Sequence, residues 1–213
     1  MGNQIVTVDF RKRESTETLT VTKNRSRTAN DEQRGRRHLT PQEVESICKT
    51  IRKHSRYPDR DELMVLAGFH HGFRVSELTS VKWQHVDLKT GQLSVKRLKN
   101  GIDTQHPIAD KRELMLLRRL HREQGKPTSG YLFRNERGGA VSTNGFQRMF
   151  NRFSEKATGT RWNAHALRHA CGTTLIDRGH DVRTVQVYMG HANIQNTVKY
   201  LHESTKQFQK IEW

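Results

Sequence analysis

The sequence predicts a mainly helical domain with one small antiparallel β-sheet, an α+β fold within a chain of 213 residues. Three observations carry that expectation. Apolar residues recur at helical spacing in several segments, most of them opened by a capping residue. Between residues 92 and 108 the pattern shortens to strands on either side of an Asn-Gly turn signal. The first 38 residues hold scattered apolar singles after one short alternating run, Ile5 to Phe10.

Thr40-Pro41-Gln42-Glu43 opens the folded part with a capping box and Pro at the first helical position. Val44, Ile47, Cys48 and Ile51 follow on one face. A second helix is expected from about Asp59 through Leu63, Leu66, Ala67 and His70, broken at Gly72, and a short one from Val75 to Val81. Gln92–Val95 and Thr104–Ile108 read as strands, with Lys99-Asn100-Gly101 between them. Asp110 caps a helix carrying Leu114, Leu117 and Leu120; residues 125–130 form a loop. Ser142 caps the helix of Phe146, Met149, Phe150 and Phe153. Asn163 opens the next, with Ala166, Leu167, Ala170 and Leu175, and Asp181 caps a last short helix through Val185 and Tyr188. Leu63, Leu66, the three phenylalanines and Cys171 are assigned to the core.

Composition narrows the function. Lys and Arg number 38 against 22 Asp and Glu, a formal charge of +16. A domain this basic usually meets a polyanion, most commonly nucleic acid, with an acidic protein partner or anionic lipid as the alternative. Hydrophobic residues are 32%, and no uncharged stretch approaches the ~20 residues of a membrane helix. The opening MGNQIVTVDFRKR lacks an apolar region of the secretory type. Two cysteines, Cys48 and Cys171, build no disulfide framework and suit a reducing cytosol. Residues 1–38 carry nine Lys/Arg against five Asp/Glu and are expected to form a disordered basic arm, either a DNA-tracking device or a solvated tail. Residues 39–213 are then the folded domain.

The residues with chemistry come in a fixed order. Arg74 lies in Gly72-Phe73-Arg74-Val75-Ser76-Glu77-Leu78, Lys99 in the hairpin turn, and His165 and Arg168 in His165-Ala166-Leu167-Arg168-His169. His191 ends Tyr188-Met189-Gly190-His191, and Tyr200 follows nine residues later. This order resembles the tyrosine site-specific recombinases of the lambda-integrase family, from about Leu39 to Tyr200. The wording Arg97-Leu98-Lys99-Asn100-Gly101 and His165-Ala166-Leu167-Arg168-His169-Ala170-Cys171-Gly172 resembles in particular the short fimbrial phase-switch invertases.

The resemblance implies the recombinase catalytic-domain fold and strand cleavage through a 3′-phosphotyrosine, for inversion, integration or excision of a DNA segment. It makes Arg74, Lys99, His165, Arg168, His191 and Tyr200 the catalytic set, with Glu77 orienting Arg74. Chemistry agrees. Paired guanidiniums can clamp the oxygens of a charged phosphodiester, and a phenol can attack a phosphate held in line. Lys99 is implied as the acid for the leaving 5′-oxygen; Lys96 is its neighbouring rival. His165 and His191 are implied as phosphate donors and proton acceptors. No metal, nucleotide or other cofactor enters the scheme. His165 and His169 have a zinc-like spacing, but Arg168 beside them repels a cation; His70 and His71 read as helix-end residues.

Implied partners are double-stranded DNA with recombination sites and further copies of the chain, a tetramer in the synaptic complex. The scheme leaves room for accessory DNA-bending proteins. The implied location is the cytoplasm, on the bacterial nucleoid through DNA. A type IB topoisomerase-like enzyme and a catalytically silent DNA-binding regulator are the alternative readings. Phe208, Ile211 and Trp213 are expected anchors, either for their own core or for a neighbouring subunit.

Overall fold

The computed structural model describes residues 38–97 and 102–203. The basic arm up to Arg37, the turn residues Lys99, Asn100 and Gly101, and the anchors Phe208, Ile211 and Trp213 lie outside the described residues.

Helix α1 (Pro41–His54) begins as its sequence dictates. The Thr40 hydroxyl accepts from the Glu43 N–H at 3.2 Å, and Glu43 Oε2 accepts from the Thr40 N–H at 2.8 Å. Helix α2 (Pro58–His70) is more than amphipathic. Leu63, Met64, Val65, Leu66, Ala67 and Phe69 are all buried, as expected of a helix surrounded by other elements. Helix α3 (Val75–Thr79) and a 3₁₀ turn (Trp83–His85) lead into strands β1 (Val86–Asp87), β2 (Gln92–Val95) and β3 (Thr104–Pro107). They form one antiparallel sheet in the order β1-β2-β3, with Leu93 opposite Val86 on one side and His106 on the other.

Helices α4 (Lys111–Glu123), α5 (Thr143–Thr158), α6 (His165–Asp177), α7 (Val182–Met189) and α8 (Gln195–Glu203) complete the described residues. Asp110, Ser142 and Asp181 each cap the helix expected of them. Three details differ from the sequence reading. Strand β1 was not anticipated, being only two residues long. Helix α6 starts at His165 rather than at Asn163, whose side chain instead accepts from the His165 N–H at 2.9 Å. Helix α8 follows the Gly-His motif and carries Tyr200; it starts behind Asn193, whose side chain accepts from the Gln195 N–H at 2.9 Å.

Helix α2 packs against α1, α4, α6 and α3, and α5 closes over α1 and α3. The main core runs through these helices and the sheet. A smaller apolar cluster of Cys171, Ile176, Val185, Met189 and Tyr200 fills the space between α6, α7 and α8. No helix among the described residues is long and apolar enough to cross a membrane. Phe150 is fully buried in α5. Phe150→Ala should cost about 3–5 kcal/mol of stability, read as a lower urea midpoint; a loss under about 1 kcal/mol would contradict this packing.

Candidate active site

The site is assembled where two turns and a helix meet. The first is the turn after α2. Gly72 has φ +58°, and a Cβ there would lie 2.5 Å from the sulfur of Met189, so only glycine lets this turn press against the end of α7. Arg74 follows as the residue that opens α3. Its backbone N–H donates to Glu77 Oε2 at 2.9 Å, and its Nη1 donates to Glu77 Oε1 at 2.6 Å. Glu77 is fully buried while the Arg74 side chain stays 30% exposed. Glu77, expected from the resemblance to orient Arg74, thus takes hydrogen bonds from both its backbone and its side chain.

Burial on its own would raise the Glu77 pKa. Hydrogen bonds from Arg74 and the charge of Arg97 outweigh it and hold the carboxyl below its ordinary value. Arg168, on α6, is almost wholly buried. It donates to the Gly72 carbonyl and, at 2.8 Å, to the Met189 carbonyl, and it stands 3.9 Å from Glu77 Oε2. Burial first, then the charges of Arg97 and Arg74, push its pKa down to about 10, which leaves it protonated at neutral pH.

The second turn ends α7. Gly190 adopts the left-handed conformation, φ +63°, that closes a helix, and His191 comes next. His191 is buried; its Nδ1 lies 2.8 Å from the Thr197 hydroxyl. Burial, then Arg168, Arg74 and Arg97, push its pKa down to about 3. His165 opens α6 with its edge in solvent. Loss of water around the ring, then His169, Arg168 and Arg74, lower it to about 4. Both imidazoles are neutral at pH 7 and able to accept a proton as well as donate one.

The third element is α8. Tyr200 is 3% exposed, its ring centroid 6.1 Å from that of His191 and 5.7 Å from that of His169. Gly172 of α6 forms its seat, since a Cβ there would lie 2.3 Å from the ring. Five of the six motif residues, Arg74, His165, Arg168, His191 and Tyr200, thus lie around the same turns; Lys99 is outside the described residues. Lys96, its rival, donates to Asp103 Oδ2 at 2.8 Å across the hairpin.

Sequence reasoning missed Thr197, Gly172 and Arg97. Only Arg97 carried a local signal, a cation two residues before the motif lysine. His70 and His71 are more than helix-end residues. His70 Nδ1 and His71 Nε2 meet the two oxygens of Glu113 at 2.7 and 2.9 Å, and His71 Nδ1 lies 3.2 Å from His106 Nδ1. Among the described residues no group of three or more His, Cys, Asp or Glu is placed to hold a metal ion.

Residues 37–207 match the model of the phage integrase family. The chain belongs to that family, the tyrosine recombinases. This recombinase is 35% identical over 177 residues to the type 1 fimbriae regulatory protein FimE of Escherichia coli strain K12, covering 81% of this chain and 89% of FimE. It is 32% identical to FimB of the same strain over 179 residues, 83% of this chain and 89% of FimB. Tyrosine recombinase XerC of Staphylococcus epidermidis is 29% identical over 174 residues, 80% of this chain and 58% of XerC. In fold, the crystal structure of XerA recombinase aligns with TM-score 0.69 at 23% identity, over 83% of this chain and 64% of XerA. XerH bound to a palindromic difH substrate gives 0.69 at 23%, over 81% and 51%. The enzyme is a site-specific tyrosine recombinase, and the fold expected from its sequence is the one found.

The depressed histidines set a pH dependence. An unfolded chain protonates them near 6.5, whereas folded His165 waits until about pH 4, and His191 and buried His106 until about pH 3. Between those values the unfolded state binds more protons, so their contribution is complete above pH 6.5 and is lost as pH falls toward 4 and 3. The urea midpoint at pH 5 should lie below that at pH 7.5. Equal midpoints would contradict buried, neutral histidines.

Proposed function

We propose that this recombinase cleaves and rejoins double-stranded DNA with Arg74 and Arg168 holding the scissile phosphate, Tyr200 attacking it and Lys99 releasing the 5′-oxygen. The observation that carries the reading is that Arg74 and Arg168, drawn from separate segments, share one buried carboxylate, while His191 and Tyr200 pack together on the elements beside them. Arg74, 30% exposed, offers donors to the non-bridging oxygens, where charge gathers in the transition state, and Arg168, whose Nη atoms here serve the Gly72 and Met189 carbonyls, joins it once DNA docking opens the site. The Tyr200 oxygen forms a bond to phosphorus as the bond to the 5′-oxygen breaks. The phenolic proton passes to a neutral imidazole, His191 or His165, and Lys99 gives a proton to the leaving oxygen. One phosphoester replaces another, so a second 5′-hydroxyl can reseal the strand by the reverse step without ATP. Because the Tyr200 ring is 3% exposed, DNA docking has to uncover it first.

The likeness to FimE and FimB over nearly their whole length supports inversion of a DNA segment as the outcome, ahead of integration or excision. DNA-bound recombinase structures of the same fold support double-stranded DNA as the partner. Strand exchange between two sites calls for four copies, a synaptic tetramer, with accessory DNA-bending proteins aiding the approach of the sites. Such work places the protein in the cytoplasm, on the nucleoid. Residues 1–38 are proposed as a separate basic arm that follows the DNA backbone, and residues 39–213 as the catalytic domain.

A nicked suicide substrate, which loses the short strand needed for resealing, tests the nucleophile. The unaltered protein should accumulate a covalent adduct, and Tyr200→Phe should bind the same DNA and form none. Adduct at undiminished yield in that variant would remove Tyr200 from the role. Joining of strands from two different sites separates a recombinase from a topoisomerase-like enzyme, and no adduct at all would leave a silent DNA-binding regulator.

Lys99 is tested with sulfur at the 5′-bridging position, a leaving group that needs little proton help. Lys99→Ala should cleave ordinary DNA about 10²–10⁴ times more slowly and recover on the sulfur substrate. Equal defects on both would end the general-acid assignment, and recovery by Lys96→Ala would move it to Lys96.

A further inference from the structure

A guanidinium that the motif reading assigned no role lies inside the site. Arg97 follows the end of β2, and its side chain is 0% exposed. Its Nη1 donates to Glu77 Oε2 at 3.0 Å and to the Gly72 carbonyl at 3.4 Å. Its Nη2 donates to the Tyr188 carbonyl at 2.8 Å and to the His71 carbonyl at 3.2 Å. These acceptors belong to the turn after α2, to α3 and to the last turn of α7. The neighbouring glycine fits the same arrangement: a Cβ on Gly190 would lie 2.7 Å from Arg97 Nε, so the turn that presents His191 is shaped around this side chain.

Both Nη atoms of Arg97 are taken up by these four protein acceptors. Arg97 does govern what Arg74 can do. Glu77 divides its two oxygens, Oε1 toward Arg74 and Oε2 toward Arg97. Without Arg97, Glu77 Oε2 would lose its 3.0 Å guanidinium contact and keep Arg168 at 3.9 Å, which leaves the Arg74 fork room to take both oxygens in a pair that competes with phosphate. A lysine offers a point charge in place of the planar fork and cannot reach all four acceptors together.

We infer that Arg97 is a positioning residue for strand cleavage, fixing Glu77 so that Arg74 keeps donors for the phosphate and holding the α7 turn that presents His191. This rests on the reading of Arg74 as a phosphate-holding group. Cleavage rates at saturating nicked DNA, half-saturating DNA concentrations and melting curves should be measured for Arg97→Met, Arg97→Lys and Arg74→Ala, and for each Arg97 variant combined with Arg74→Ala. Arg97→Met should lose about a hundredfold in rate with half-saturation changed less than about threefold, and Arg97→Lys should fall between it and the unaltered protein. In the Arg74→Ala background the further loss should shrink to less than about tenfold, because part of the effect runs through Arg74. If Arg97→Met does not fold, Arg97→Lys decides by the same comparison. The same fold-loss in both backgrounds would overturn the proposal. So would a loss that disappears at temperatures where the variant is fully folded, since Arg97 would then serve stability alone. Arg74→Ala on its own separates the two ideas. A rate equal to that of the unaltered protein would refute the role of Arg74, whereas an impaired Arg74→Ala beside fully active Arg97 variants would refute only that of Arg97.

Discussion

One buried carboxylate organises this site. Glu77 has Arg74 at 2.6 Å, Arg97 at 3.0 Å and Arg168 at 3.9 Å, so three guanidiniums share a single negative charge. Burying ions is costly unless they are paired and hydrogen-bonded. Here the backbone supplies much of the compensation, with carbonyls of Gly72, His71, Tyr188 and Met189 taking guanidinium protons. The cluster still carries more positive charge than it neutralises internally. A phosphodiester is the ligand that such a surplus suits. Burial first, and then the same surplus, lowers His165 to about 4 and His191 to about 3, so both are uncharged at neutral pH.

The fold exists to hold this arrangement against its own repulsion. Helix α2 is buried among the other elements and ends at His70, two residues before Gly72, the one residue type that fits against Met189 with a positive φ. Arg74 therefore starts from a fixed point. Helix α6 brings Arg168 beneath it and offers Gly172 as the flat seat of the Tyr200 ring. Helix α7 ends at Gly190 in the left-handed conformation, which turns His191 inward to Thr197. Each of these glycines marks a place where a single methyl group would move a reactive residue.

Much of this was legible in the sequence, for identifiable reasons. Capping residues and apolar spacing reported on local structure, so α1, α4, α5 and α7 stand where Thr40, Asp110, Ser142 and Asp181 put them. Arg74, His165, Arg168, His191 and Tyr200 were singled out because their order resembles that of the tyrosine recombinases. Arg97, Thr197 and Gly172 were not, because each acts through partners distant in the chain or, for Thr197, within an unanticipated helix. In sequence Arg97 is one more cation in a chain with 38 of them, and burial alone sets it apart. Helix α8 escaped notice because it is short and starts behind Asn193 rather than a stronger cap. Strand β1 is held by its pairing with β2 more than by any pattern of its own.

The central claim is that this charged cluster delivers a phosphate to Tyr200. Peptide mapping by mass spectrometry of the adduct trapped on a nicked recombination site tests it most directly. The account predicts one modified peptide, containing Tyr200, with its phenolic oxygen esterified to a 3′-phosphate and a free 5′-hydroxyl on the released strand. A phosphate on any other residue, or a 5′-phosphate on the released strand, would contradict it.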